Sequence, residues 1–157
     1  MCSGENMTVR ARKAQVSDVP NIHKLMVSLA EFEAYSEQFN VSASDVEDII
    51  VSSNKVHLIV ADSGGHSCVA LAVMFKQPFT YDMKPWLILK EFVVDEGFRG
   101  TGVGRTLFQY LVDFARKENA TKIKWEVLAS NARAKSFYEG FGSNHQLEWQ
   151  IYQLDPG

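Results

Sequence analysis

Hydrophobic and polar positions follow two periods along this chain, and each switch between them marks an element. Thr8–Ala14 alternates residue by residue and predicts a first strand. Ser17 or Asp18 then caps a helix that carries Pro20 in its first turn, where a missing N–H costs little. Ile22, Leu25, Met26, Leu29 and Phe32 form its apolar stripe. Ser44-Asp-Val-Glu47 has the spacing of a capping box, so a shorter helix follows, with Val46, Ile49 and Ile50 apolar. Lys55–Asp62 and Ser67–Lys76 read as strands joined by a hairpin turn at Ser63-Gly-Gly-His66. Pro78–Pro85 is a loop, and Trp86–Val94 is an apolar, β-branched and aromatic run that reads as a strand. Val103–Asn119 returns to helical spacing through Leu107, Tyr110, Leu111, Phe114 and Ala115. Thr121–Leu128 alternates again, Asn131 caps a last helix through Tyr138, and Glu148–Leu154 predicts a final strand. The order β-α-α-β-β-β-α-β-α-β implies an α/β (α+β mixed) architecture, a mixed sheet with helices packed on it.

Composition narrows the class. With 157 residues and 46% hydrophobic content, the chain suits one soluble domain, expected over residues 7–157 behind a disordered tail at 1–6. A formal charge of −3 argues against nucleic acid as the main partner. No apolar run reaches membrane length and Met1–Met7 lacks a signal peptide's apolar core, so a cytoplasmic protein is expected. Cys2 and Cys68 stand far apart without metal-ligand spacing, which suggests neither a disulfide framework nor a metal site.

The chemistry concentrates at Asp95-Glu-Gly-Phe-Arg-Gly-Thr-Gly-Val-Gly104, between the strand at Trp86–Val94 and the helix from Val103. Glycines remove the Cβ atoms that would block a ligand, and several amide N–H groups can then face one oxyanion. The helix start adds roughly half a unit of positive charge, and Arg99 adds a full one. A phosphorylated ligand is expected. A dinucleotide fingerprint fails because Arg105 occupies its third glycine position, and a Walker loop fails because Gly104 is followed by Arg105-Thr106. What fits is Arg-x-x-Gly-x-Gly, from Arg99 through Gly102 to Gly104.

That loop resembles the acetyl-CoA pyrophosphate loop of the GNAT superfamily of N-acetyltransferases. A second element agrees: Asn131-Ala-Arg-Ala134-Lys-Ser-Phe137-Tyr138-Glu-Gly-Phe-Gly142 matches the family's Asn-x-x-Ala-x-x-Phe-Tyr-x-x-x-Gly signature, and each element follows a predicted strand. The resemblance runs from Val9 to Leu154 and implies the GNAT fold, a central, mostly antiparallel sheet flanked by helices. Leu29-Ala-Glu-Phe-Glu33 and Phe79-Thr-Tyr-Asp82 are similar to segments of the diamine branch, the spermidine/spermine-like and thialysine-like acetyltransferases. A homodimer is implied too, with Glu148–Leu154 as a natural place for it.

The resemblance assigns roles residue by residue. Acetyl-CoA would be held by backbone groups of Phe92, Val93 and Val94, by Arg99, Gly100, Thr101, Gly102, Val103, Gly104 and Arg105, and by Asn131, Arg133 and Ala134, with no metal. Asn131 also serves as a helix cap. Tyr138 would protonate the departing thiolate. An alkylamine has a pKa of about 10.4 and arrives as an ammonium, so the site must also take a proton away. The diamine branch carries two successive acids in the central strand, but here the pair is Lys90-Glu91. With a lysine in the first place, Glu91, Glu33, Asp82 or a water chain would have to take the proton, with Glu91 the catalytic candidate, and alternation is expected to send Lys90 to the opposite face. Glu33, Asp82, Lys90 and Glu126 are the acceptor-side candidates, together with Trp149 near the C-terminus. Lys90 points toward amines that also bear a carboxylate. The expected activity is acetyl transfer to a small primary amine, of a diamine, polyamine or lysine-like amino acid. The competing readings are a non-catalytic acyl-CoA sensor and an enzyme acting on protein amines.

Overall fold

The computed structural model describes residues 8–157, so the expectation for a tail at 1–6 lies outside the described residues. The chain divides into two compact units, one ending at Glu126 and the other spanning Val127–Gly157.

The first unit is built on five strands in sequential order: β1 (Val9–Lys13), β2 (Val56–Ser63), β3 (His66–Gln77), β4 (Trp86–Val94) and β5 (Lys122–Trp125). The first four pair antiparallel, and β5 joins β4 in parallel after a crossover through helix α3 (Val103–Lys117). A parallel neighbour demands such a crossover, which explains why the glycine loop and its helix sit between these two strands. Helices α1 (Val19–Phe32) and α2 (Ala43–Ser52) connect β1 to β2. Ile22, Leu25 and Met26 of α1 and Val46 of α2 bury one sheet face together with Leu58, Val60, Leu71, Val73 and Val93. Leu107, Phe108, Leu111 and Phe114 of α3 are likewise buried.

Helix ends show where local chemistry overrode the predicted boundaries. The capping box of α2 is Ser42 with Asp45, not Ser44 with Glu47: Ser42 Oγ accepts from Asp45 N–H at 3.1 Å and Asp45 accepts from Ser42 N–H at 2.8 Å. Both pairs have the right spacing, and the one two residues earlier adds about half a turn of helix. Helix α1 stops in a Schellman motif without glycine. Ala34 takes φ 59°, its N–H reaches Glu31 C=O at 3.3 Å, and Tyr35 N–H reaches Ala30 C=O at 2.9 Å. The stripe ends there, and Phe32 is 60% exposed.

A part-buried ion network ties β1, the start of α1 and β2. The Arg12 guanidinium donates to both oxygens of Asp18 (2.7 and 2.9 Å) and both of Asp62 (2.8 and 3.0 Å). Asp62 also accepts from Cys68 N–H at 2.9 Å, where β3 bends through a left-handed Cys68 with φ 53°. Asp18 accepts from Gln15 N–H at 2.8 Å, so it is held by Arg12 and the preceding turn rather than by a side-chain cap on α1. Arg12 holds the Asp18 carboxyl below the ordinary carboxylate range. A depressed folded-state pKa contributes stability that is full above the unfolded value and fades as pH falls through the folded one. Asp18→Asn is therefore expected to cost about 3 kcal/mol at neutral pH and to flatten the acid limb of stability, measured by urea unfolding between pH 2 and pH 7.

The second unit holds helix α4 (Ala132–Glu139). The predicted final strand does not form: Glu148–Leu154 carries no ladder, and Leu147, Trp149, Ile151, Tyr152 and Leu154 are exposed. Alternation specifies a strand's two faces but cannot supply the edge it needs to pair with. The strand expected over Thr121–Leu128 likewise stops at Trp125.

Candidate active site

The glycine loop folds as its composition requires. After a short 3₁₀ turn at Glu96–Phe98, Gly100 takes φ 76° and Gly102 takes φ 89°, and α3 starts at Val103. A Cβ at either glycine would meet no atom of the chain within 4 Å, so the requirement is conformational and the space beside the loop stays open. Gly102 is the N-cap of α3 and offers no side chain to its first turn. The loop is pinned from within: Asp95 accepts from Gly97 N–H at 3.0 Å, and the Thr101 hydroxyl donates to Phe98 C=O. Arg99 and Arg105 are exposed. Open space, a left-handed glycine and uncapped helix amides are the features an anion such as a pyrophosphate requires.

The central strand carries a β-bulge at the position that sequence alternation could not show. Met74 of β3 pairs with Leu89 and Val73 pairs with Glu91, so Lys90 has no partner on β3. Cross-strand partners share a face, and Val73 and Met74 point to opposite faces. Leu89 and Glu91 therefore lie on opposite faces although they are two residues apart. Past the bulge, Phe92 meets Phe108 of α3 edge-on at 6.0 Å, while Val93 joins the core under α1. The bulge thus delivers Glu91 to the α1 side. The expectation of simple alternation along this stretch is corrected at Leu89 and Glu91, which the bulge sends to opposite faces, and the Lys90 ammonium lies close enough to act on the Glu91 carboxyl. The β4–β5 ladder ends at Leu89 with Trp125, and Lys90–Val94 continues beyond it.

Four side chains of the first unit form one electrostatic group. Burial pushes the Glu91 carboxyl up from the ordinary range, opposed by the nearby Lys90 ammonium and reinforced by Glu33. Its Oε2 is buried and, among the described residues, has no hydrogen-bond partner. Glu33, the C-cap of α1, is likewise raised by burial and lowered by Lys90. The Schellman turn brings in Tyr35, whose phenol is pushed up to about 12 by burial and by the charges of Glu91 and Glu33. Tyr35 escaped the sequence reading, because no glycine marks the helix end and only the reversal at Ala34 aims it here. Glu31 and Glu37, the other acids of that region, are exposed.

Asp82 and Glu126 stand apart from this group. Asp82 is spent on its own loop, accepting from Thr80 Oγ and Lys84 N–H, both at 3.0 Å. Glu126 is exposed one residue past β5. In the second unit, Asn131 Oδ1 accepts from Ala134 N–H at 3.1 Å and so caps α4, and Arg133 is exposed. Tyr138 is buried at 9% exposure beside Phe137, with ring centroids 5.4 Å apart. Trp149 is exposed in the terminal segment. Cys68 is a poor nucleophile, since burial pushes its thiol up to about 12. Among the described residues no cluster of three His, Cys, Asp or Glu side chains could hold a metal ion, and no helix is long and apolar enough to cross a membrane.

Residues 24–142, which include the loop, the bulged strand and the α4 signature, match the acetyltransferase (GNAT) family model. The chain belongs to the GNAT family. It is an acetyltransferase, of a family that uses acetyl-CoA on small amine substrates. Among curated relatives it is 24% identical to the thialysine N-epsilon-acetyltransferase of Bos taurus, over 94% of this chain and 92% of that one. It is 23% identical to an L-ornithine N5-acetyltransferase of Arabidopsis thaliana, over 97% of this chain and 86% of that one. Its GNAT fold is shared with an aminoglycoside acetyltransferase from an uncultured soil metagenomic sample, at TM-score 0.75 and 14% identity, covering 94% of this chain and 97% of that one.

Proposed function

We propose that this GNAT enzyme is an acetyl-CoA-dependent N-acetyltransferase that acts directly on the primary amine of a small molecule, a diamine, polyamine or lysine-like amino acid. The observation that carries the reading is Glu91: a half-buried carboxylate with a raised pKa and an unpartnered oxygen, set by a bulge where β4 outruns β5. A carboxyl kept partly desolvated is a stronger base than an exposed one, which suits it to deprotonate an ammonium. The relatives named for thialysine and ornithine support an acceptor amine on a short aliphatic chain.

In this reading the glycine loop and the first turn of α3 hold the pyrophosphate, and backbone groups of Phe92–Val94 hold the pantetheine arm as an added strand would be held. Arg99, Arg105 and Arg133 supply cations, and Asn131 and Ala134 set the start of α4. The acceptor ammonium gives a proton to Glu91, and the free amine attacks the thioester carbonyl. A C–N bond forms, the C–S bond breaks, and Tyr138 gives its proton to the departing thiolate. The attacking nitrogen loses a second proton, which restores Tyr138, and Glu91 releases its own to solvent. The products are the acetamide and free coenzyme A. Direct transfer needs no acyl-enzyme, consistent with the inert Cys68. The reading extends to a cytoplasmic homodimer, for which the exposed apolar run from Leu147 to Leu154 is the supporting feature.

The test is free-thiol release from acetyl-CoA against a panel of diamines, polyamines and amino acids. Amine-dependent thiol release is expected for at least one short-chain amine. Tight acetyl-CoA binding without release for any of them would point instead to an acyl-CoA sensor.

A further inference from the structure

We propose that Lys90 selects the acceptor by pairing with a carboxylate on the incoming molecule, so that the preferred substrates are zwitterionic amino acids with a side-chain amine rather than diamines or polyamines. This rests on reading the β4 bulge as the acceptor side of the acetyl-transfer site.

Three observations carry it. First, Lys90 is the extra residue of the bulge: it has no partner on β3 and its side chain is exposed, so nothing in the sheet requires a lysine there. Second, Lys90 lies close enough to influence Glu33 and Glu91, yet among the described residues it closes no ion pair with either. Its three donors remain available to a ligand. Third, the two carboxylates and one ammonium form a group of mixed sign. An acceptor carrying positive charge only would meet Glu33 and Glu91 favourably but would place its remaining cations in the field of Lys90. An α-amino acid presents both signs, with the reacting amine toward Glu91 and the carboxylate toward Lys90. Such a charge-assisted contact discriminates because the carboxylate-free analogue leaves the ammonium without its counter-ion.

Two matched pairs isolate the carboxylate: L-lysine against cadaverine, and L-ornithine against putrescine, each pair differing in that group alone. Wild type is expected to favour the amino acid by about tenfold in kcat/KM, the size of one such contact. Lys90→Met should bring each ratio to within about twofold of unity, and Lys90→Glu should invert it, by the same contact argument. Any change that Lys90 variants cause in the proton acceptor acts on both members of a pair and cancels in the ratio. A wild-type preference for the diamines, or ratios unchanged in Lys90→Met, overturns the proposal. If thiol release is absent for these four amines and for the rest of the amine panel, the acetyl-transfer reading fails instead. Calorimetric affinities of L-lysine and cadaverine for the coenzyme-A-bound wild type and Lys90→Met still decide the role of Lys90. Circular dichroism confirms that the variants fold.

Discussion

Glu91→Gln is expected to lower kcat/KM for every accepted amine by about 10²- to 10³-fold, the range of a lost general base. Coenzyme affinity should change little, because the carboxylate lies on the α1 side of β4 and not in the glycine loop. The pH profile separates loss of a base from loss of shape. With Glu91 present, activity should rise with pH through the raised carboxylate pKa, above the ordinary glutamate range. In Glu91→Gln that limb should vanish and leave the titration of the amine itself. Stability should move the other way. A raised folded-state pKa means that the folded protein binds the proton more tightly than the unfolded chain does. The charged form is therefore a penalty, absent below the unfolded value and complete above the folded one. Glutamine carries no such penalty, so the inactive variant should melt at the same temperature or higher at pH 7. A variant that loses activity and stability together, with its acid limb intact, would mean Glu91 only packs.

Tyr138→Phe carries the second large effect. It should cut kcat by about 10²-fold, the lower end for a positioned acid, with the acetyl-CoA dissociation constant within a few-fold of wild type. The change keeps the ring that packs beside Phe137 and removes one oxygen. A thioester with a more acidic thiol needs less help from the acid, so the deficit should shrink with such a donor. Wild-type turnover in this variant would remove Tyr138 from the mechanism.

Much of this was legible in the residues. The glycine-dense turn that opens a helix at Val103 and the Asn131 cap both formed as read. The strand Trp86–Val94 was found to the residue, because its apolar run is bounded by Pro85 and the loop at Asp95. What escaped carried no mark in the local sequence. The bulge at Lys90 arises from the register between β3 and β4 and leaves no local trace in a run of strand-forming residues. The turn at Ala34, which brings Tyr35 to the acids, uses a residue that carries no turn signal. Glu148–Leu154 shows the converse: its alternation is clear, yet no strand forms among the described residues.

The unpaired position at Lys90 has an evolutionary consequence. Leu87 and Leu89 before it and Val93 after it are buried, so changes there disturb the core. Position 90 is free of the ladder's register and of the core, yet its charge reaches both carboxylates. On the proposed role of Lys90, swapping its sign is expected to re-address the enzyme to another class of amine at little cost in folding. Descendants of one ancestral acetyltransferase could thus part ways in diet through a single codon.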